Sequence, residues 1–77
     1  PRALLALLSP GEQSVLHYLM RGLSAVEIAE DRFVAVTTVR SQIRSILTKL
    51  DVRSQLAAVA LAHGVGWHAD GWQIHQI

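Results

Sequence analysis

The sequence contains no cysteine, which excludes disulfide stapling and thiolate metal sites and gives no sign of an oxidising compartment. No apolar run reaches the roughly 18 residues that a membrane-spanning helix needs. The opening Pro1-Arg2-Ala3-Leu4-Leu5-Ala6-Leu7-Leu8 has no small-residue cleavage site of the kind that ends a secretory leader. The expectation is a soluble, cytosolic protein without membrane association. A starting Met is also missing, which suggests a piece of a longer protein in which a sensor or receiver domain precedes Pro1. Charge is scarce at 17% of residues while 51% are apolar, a balance that fits a packed domain and not a disordered acidic or basic tail. The 77 residues suffice for one compact domain with a modest core and are too few for a catalytic domain plus a regulatory one. No carboxylate pair, nucleophile with its base, or glycine-rich phosphate loop is present, so neither an enzyme nor a cofactor is expected.

The few charges are unevenly placed. Residues 1 to 36 carry three basic and four acidic side chains, residues 37 to 53 carry Arg40, Arg44, Lys49 and Arg53 against Asp51 alone, and the remainder carries only Asp70. A net charge of +1 therefore conceals one basic segment.

Helical signals begin at Ser9, which can cap, with Pro10 suited to the first turn, Glu12 three residues after the cap, and Val15, Leu16 and Leu19 forming one apolar stripe. A first helix is predicted over Pro10 to Arg21, stopped by Gly22. Ser24-Ala25-Val26-Glu27 has the spacing of a capping box ahead of Ile28 and Ala29, which predicts a short second helix ending near Asp31. After a link around Arg32 to Ala35, Val39, Ile43, Ile46 and Leu50 recur at spacings of four, three and four, the period of a third helix. Ser54 can cap a fourth helix from Gln55 to His63, closed by Gly64. The expected fold is all-α, a small four-helix domain over residues 9 to 63, with residues 1 to 8 as a linker or leading segment and residues 64 to 77 as a C-terminal tail. In that tail Asp70-Gly71 between Trp67 and Trp72 can form a tight hairpin turn or a loop.

The third helix has two chemically distinct sides. At about 100° per residue, Thr37, Arg40, Ser41, Arg44 and Thr48 fall together, and Val39, Ile43, Ile46 and Leu50 fall roughly opposite. An apolar back and a front of two arginines with small hydroxyl residues is what a helix needs to enter the DNA major groove, where Arg pairs bidentately with guanine. Thr37 and Thr38, at the helix start, are placed for phosphate contacts. Taken alone, Arg40 and Arg44 are what any solvated surface carries. The preceding segment changes that reading: a short helix, a tight link and a second helix form a helix-turn-helix, with Ala29 at the crossing and Phe33 and Val39 available to fill the angle. In such a motif the second helix reads the groove.

Leu8-Ser9-Pro10-x-Glu12, Gly22-Leu23-Ser24-x-x-Glu27-Ile28-Ala29, Val34 through Thr38-Val39-Arg40, and Lys49-Leu50-x-Val52 together resemble the LuxR-type (GerE-like) DNA-binding domain over roughly residues 8 to 63. The resemblance implies a third helix that reads the major groove and a fourth that contributes to dimerisation, at the C-terminus of a response regulator or ligand-sensing activator. It implies base-reading positions at Arg40, Ser41 and Arg44, and backbone contacts at Ser24, Ala25, Thr37, Thr38 and Lys49, with Thr48 on the same front. The implied setting is the bacterial cytoplasm, associated with the nucleoid, with double-stranded DNA as partner and RNA polymerase as a candidate further contact. Two departures stand out: Ala35 where the family often has a capping Ser, and Gln42, able to bond adenine or phosphate, where His is common.

The fourth helix is apolar almost all round, which predicts cover on more than one side. Ala58, Val59 and Ala62 can face the core, leaving Leu56, Ala57, Ala60 and Leu61 for a two-fold partner or for cover by residues 1 to 8 or the tail. His63, His68 and His75 are too widely spaced to predict a metal site, and His17 reads as a surface or boundary residue. Trp67 and Trp72 lack the flanking basic cluster of single-strand binders and read as packing groups. Two other readings remain open: the promoter-recognition region of a sigma factor, against which the fourth helix stands, and a helix-turn-helix used only for protein binding, against which the Arg40 and Arg44 stripe stands.

Overall fold

The computed structural model describes residues 2–68, and the hairpin candidate at Asp70-Gly71, Trp72 and His75 lie outside them. The described residues form five helices: α1 (Arg2–Leu5), α2 (Pro10–Met20), α3 (Ala25–Arg32), α4 (Val36–Leu50) and α5 (Gln55–Gly64). The four predicted helices are α2 to α5, and the architecture is the expected all-α one.

Three of these helices start as their sequences dictate. The Ser9 side chain accepts from the Glu12 N–H at 3.2 Å while the Glu12 carboxylate accepts from the Ser9 N–H at 2.9 Å. Ser24 and Glu27 exchange the same pair of bonds at 3.2 and 2.8 Å, and Ser54 caps α5 through the Ala57 N–H at 3.0 Å. Each arrangement satisfies N–H groups that a helix start would otherwise leave unpaired. The exception is α4, whose N-cap residue Ala35 has no side-chain cap bond, so the missing hydroxyl noted in the sequence leaves its first turn uncapped.

The core is a single cluster in which Val15, Leu16 and Leu19 of α2, Ile28 and Ala29 of α3, Val39, Ile43, Ile46 and Leu50 of α4, and Ala58 and Ala62 of α5 are buried. The stripes read from the sequence are thus the buried faces, and α4 is the hub on which α1, α2, α3 and α5 all pack. The leading segment takes part in this packing: α1 lies on α4, and Leu5 and Leu8 are buried in the core. Four residues make too short a helix to stand alone, so α1 exists because these leucines dock.

Phe33 departs from expectation. Expected in the angle between α3 and α4, it is 93% exposed. The cause is its backbone: Phe33 is the C-cap of α3 at φ 58, ψ 45, a left-handed conformation that redirects the side chain outward while closing the helix. Val39 and Ala29 fill the crossing without it. The end of α5 also shifts: the helix runs one residue past His63, with Gly64 still helical, and the left-handed glycine is Gly66 (φ 65), two residues further on.

Candidate nucleic-acid interface

The third predicted helix, α4, separates into the two expected sides. Val39, Ile43, Ile46 and Leu50 are buried, whereas Thr37, Thr38, Arg40, Ser41, Arg44 and Thr48 are exposed. The two guanidinium groups lie one helical turn apart at the edge of a groove of about 320 Å³ lined by Ala25, Arg40, Ile43, Arg44, Leu47 and Gln55. The starts of α3 and α5 therefore border the same groove as the arginines of α4. Ser24 is exposed beside it; its oxygen accepts the capping bond, which leaves the hydroxyl proton free to donate outward. The Thr48 hydroxyl donates to the Arg44 carbonyl at 3.1 Å.

Lys49 is already engaged within the chain. Its Nζ lies 2.7 Å from Glu12 Oε1 and donates to the Leu7 carbonyl at 3.3 Å, tying the end of α4 to α2 and to the leading segment. Of three ammonium hydrogens, one remains for an outside acceptor. Burial alone would push the Glu12 carboxyl up, but the bonds from Lys49, Ser45 and the Ser9 N–H outweigh it and hold the group at about 2, below its ordinary 4.5. Ser45 Oγ contributes at 2.6 Å to Glu12 Oε2. Glu12 is thus a carboxylate kept ionised under the core. Its capping role was readable from Ser9 three residues before, but its pairing with a lysine 37 positions later was not.

Gln42 turns inward. Its amide packs against Gly11 of α2, so close that a β-carbon at position 11 would sit 2.9 Å from Nε2. Its Oε1 is buried without a partner among the described residues. A base or phosphate contact by Gln42 thus requires the side chain to leave this site. His17 is half-buried, and its imidazole is held below 6.5 by burial first and then by the charges of Arg21 and His68. Among the described residues no group of three His, Cys, Asp or Glu could hold a metal ion.

The fourth predicted helix, α5, buries Ala58 and Ala62 and half-buries Ala57, Val59 and Leu61. Leu61 and Val59 pack partly against the core. Leu56, 78% exposed, and Ala60 face outward, and Leu56 borders an apolar groove of about 400 Å³ with Leu19, Gly22, Leu23, Gln55 and Val59. Trp67 is half-buried against the core, and its backbone N–H donates to the Ala62 carbonyl at 2.9 Å.

A short helix, a tight turn and a longer helix with a buried back and a basic front define a helix-turn-helix of the DNA-binding class. Residues 6–62 match the family of bacterial regulatory proteins, luxR family, and the chain belongs to that family of DNA-binding transcription regulators. It is 43% identical over 56 residues to the nitrate/nitrite response regulator protein NarP of Escherichia coli K12, covering 73% of this chain and 26% of that protein. It is 41% identical over 54 residues to a nitrate/nitrite response regulator protein homolog of Haemophilus influenzae, covering 70% of this chain and 26% of that protein. The chain thus spans about a quarter of the length of these curated relatives.

Proposed function

We propose that this chain binds double-stranded DNA in a sequence-specific way and regulates transcription, with α4 lying in the major groove. The observation that carries the reading is the division of α4: Arg40, Ser41 and Arg44 are exposed along one side while Val39, Ile43, Ile46 and Leu50 anchor the other in the core. Arg40 and Arg44 each present a fork that matches guanine O6 and N7, and Ser41 between them lets the helix approach base edges closely. Ser24, Ala25, Thr37 and Thr38 contact the sugar-phosphate backbone, Thr48 joins them when its hydroxyl turns from the Arg44 carbonyl to a phosphate, and Lys49 adds its remaining ammonium hydrogen. The uncapped first turn of α4 suits this role, since backbone N–H groups at a helix start attract phosphate.

The protein works as a homodimer through Leu56, Ala57, Ala60 and Leu61 of α5. An exposed leucine beside small residues permits close approach of a two-fold partner. The relatives' names support a place within a response regulator; in this reading the chain is its C-terminal output domain, acts on the nucleoid in the cytoplasm and has RNA polymerase as a further contact. The chemistry is binding, with no catalytic step. Selection of bound sequences from random duplex DNA, at fixed salt, tests this reading. The expected outcome is enrichment of a site with guanines in each of two half-sites; retention without enrichment would leave only non-specific phosphate binding.

A further inference from the structure

The apolar stripe of α4, Val39, Ile43, Ile46 and Leu50, is shadowed one residue earlier by a polar row, Thr38, Gln42, Ser45 and Lys49, with the same spacings of four, three and four. Such a row runs along one side of a helix, here the side that borders α2. Its two ends, Thr38 and Lys49, are backbone contacts in the reading above. Its two middle members turn inward, and they differ in what they meet. Ser45 donates to Glu12 Oε2 at 2.6 Å. Gln42 lies against Gly11, with Oε1 buried and without a partner among the described residues. A carbonyl oxygen held in this way destabilises the arrangement that buries it. Gly11 is fitted to that arrangement. It stands in the first turn of α2 at a backbone conformation open to any residue, since Gly22 and Gly66 alone among the described glycines have positive φ, and glycine there weakens the helix relative to alanine. What a larger residue would meet is the Gln42 amide, 2.9 Å from a β-carbon at position 11.

We propose that Gln42 is a further DNA-backbone contact, stored against Gly11 in the free protein and released on the duplex, where its amide donates to a phosphate between those met by Thr38 and Lys49. The proposal rests on the DNA-binding reading. Gln42 is half-buried, so its way out is open, and rotation about its own side-chain bonds moves the amide without moving α4. Leaving the seat returns Oε1 to water, and a phosphate oxygen is a stronger acceptor than any neutral group. A base edge fits poorly: at about 100° per residue, Gln42 lies about 100° around the helix from Ser41 and about 160° from Arg44, the residues that face the bases.

The 77-residue chain is compared with Gln42→Met, which keeps the length of the side chain and removes its polar atoms, and with Gly11→Ala, whose methyl group occupies the seat. Thermal midpoints of the wild type and Gln42→Met are read without DNA. Affinities of all three are read across a salt series on the selected duplex and on an unrelated one. Gln42→Met is expected to melt higher than the wild type and to bind both duplexes about tenfold more weakly, with the salt slope unchanged because the amide is neutral. Gly11→Ala is expected to bind both duplexes at least as tightly as the wild type, because Gln42 then stands outside its seat from the start. Four results overturn the proposal. Gln42→Met with wild-type affinity would remove the contact, and Gln42→Met that melts lower would mean that the amide is satisfied where it is stored. A loss confined to the selected duplex would make Gln42 a base reader, and weaker binding by Gly11→Ala would mean that Gln42 acts from its inward position. If the wild type retains no duplex in the initial selection, the DNA-binding reading fails before any variant is compared, and this proposal falls with it.

Discussion

Glu12 gathers the opposing forces of the molecule into one side chain. It caps α2, accepts from Ser45 and Lys49 of α4, and stays ionised although it is 7% exposed. Its folded value of about 2 against an ordinary 4.5 means that the unfolded chain binds the proton more readily. The contribution is therefore complete above about pH 4.5 and is lost as pH falls toward 2. His17 acts in the same direction at higher pH: its imidazole is held below 6.5 in the fold, so acidification through that value also favours the unfolded state. Thermal unfolding across a pH series is expected to show stability declining in two stages on the acid side. Glu12→Gln should remove the lower stage and cost about 1–3 kcal/mol at neutral pH, because Lys49 then loses its charged partner. A variant that keeps the lower stage would assign it to another carboxyl.

At the scale of elements, what the sequence discloses depends on how local its cause is. The capping boxes of α2 and α3 lie within three residues, and the apolar period of α4 runs over a single stretch, so both were readable before any packing was known. The arginine front of α4 followed from the same period. The small helix α1 was not readable, because it is held by Leu5 and Leu8 docking into a core built by later residues. An apolar side chain beside a helix crossing reads as core, whereas the left-handed backbone of a C-cap decides the direction of Phe33. The engagement of Lys49 within the chain is not legible in the sequence, because its partner Glu12 lies across the fold. The uncapped start of α4 yields a direct prediction: Ala35→Ser should raise stability by about 0.5–1 kcal/mol, read as a higher thermal midpoint. No change would mean that the first-turn N–H groups already have equivalent partners in water.

The whole molecule is a small core with two unequal surfaces, the basic front of α4 and the outward side of α5. One such domain covers little DNA, and pairing two on adjacent half-sites raises affinity without any new base contact. Ala60 is exposed on α5, so Ala60→Glu is expected to keep its helical circular-dichroism signal while losing cooperative occupancy of a two-half-site duplex. Cooperative binding by the folded variant would exclude this face as the dimer contact. The central claim is that Arg40 and Arg44 read bases, and the most direct test is the sequence preference of Arg40→Ala and Arg44→Ala on the selected site and its single-base variants at constant salt. Each substitution should cost about 1–3 kcal/mol at the selected site and flatten the preference at one base position, a different one for each arginine. Equal weakening on every duplex, with all base preferences intact, would contradict the account and make both arginines phosphate contacts alone.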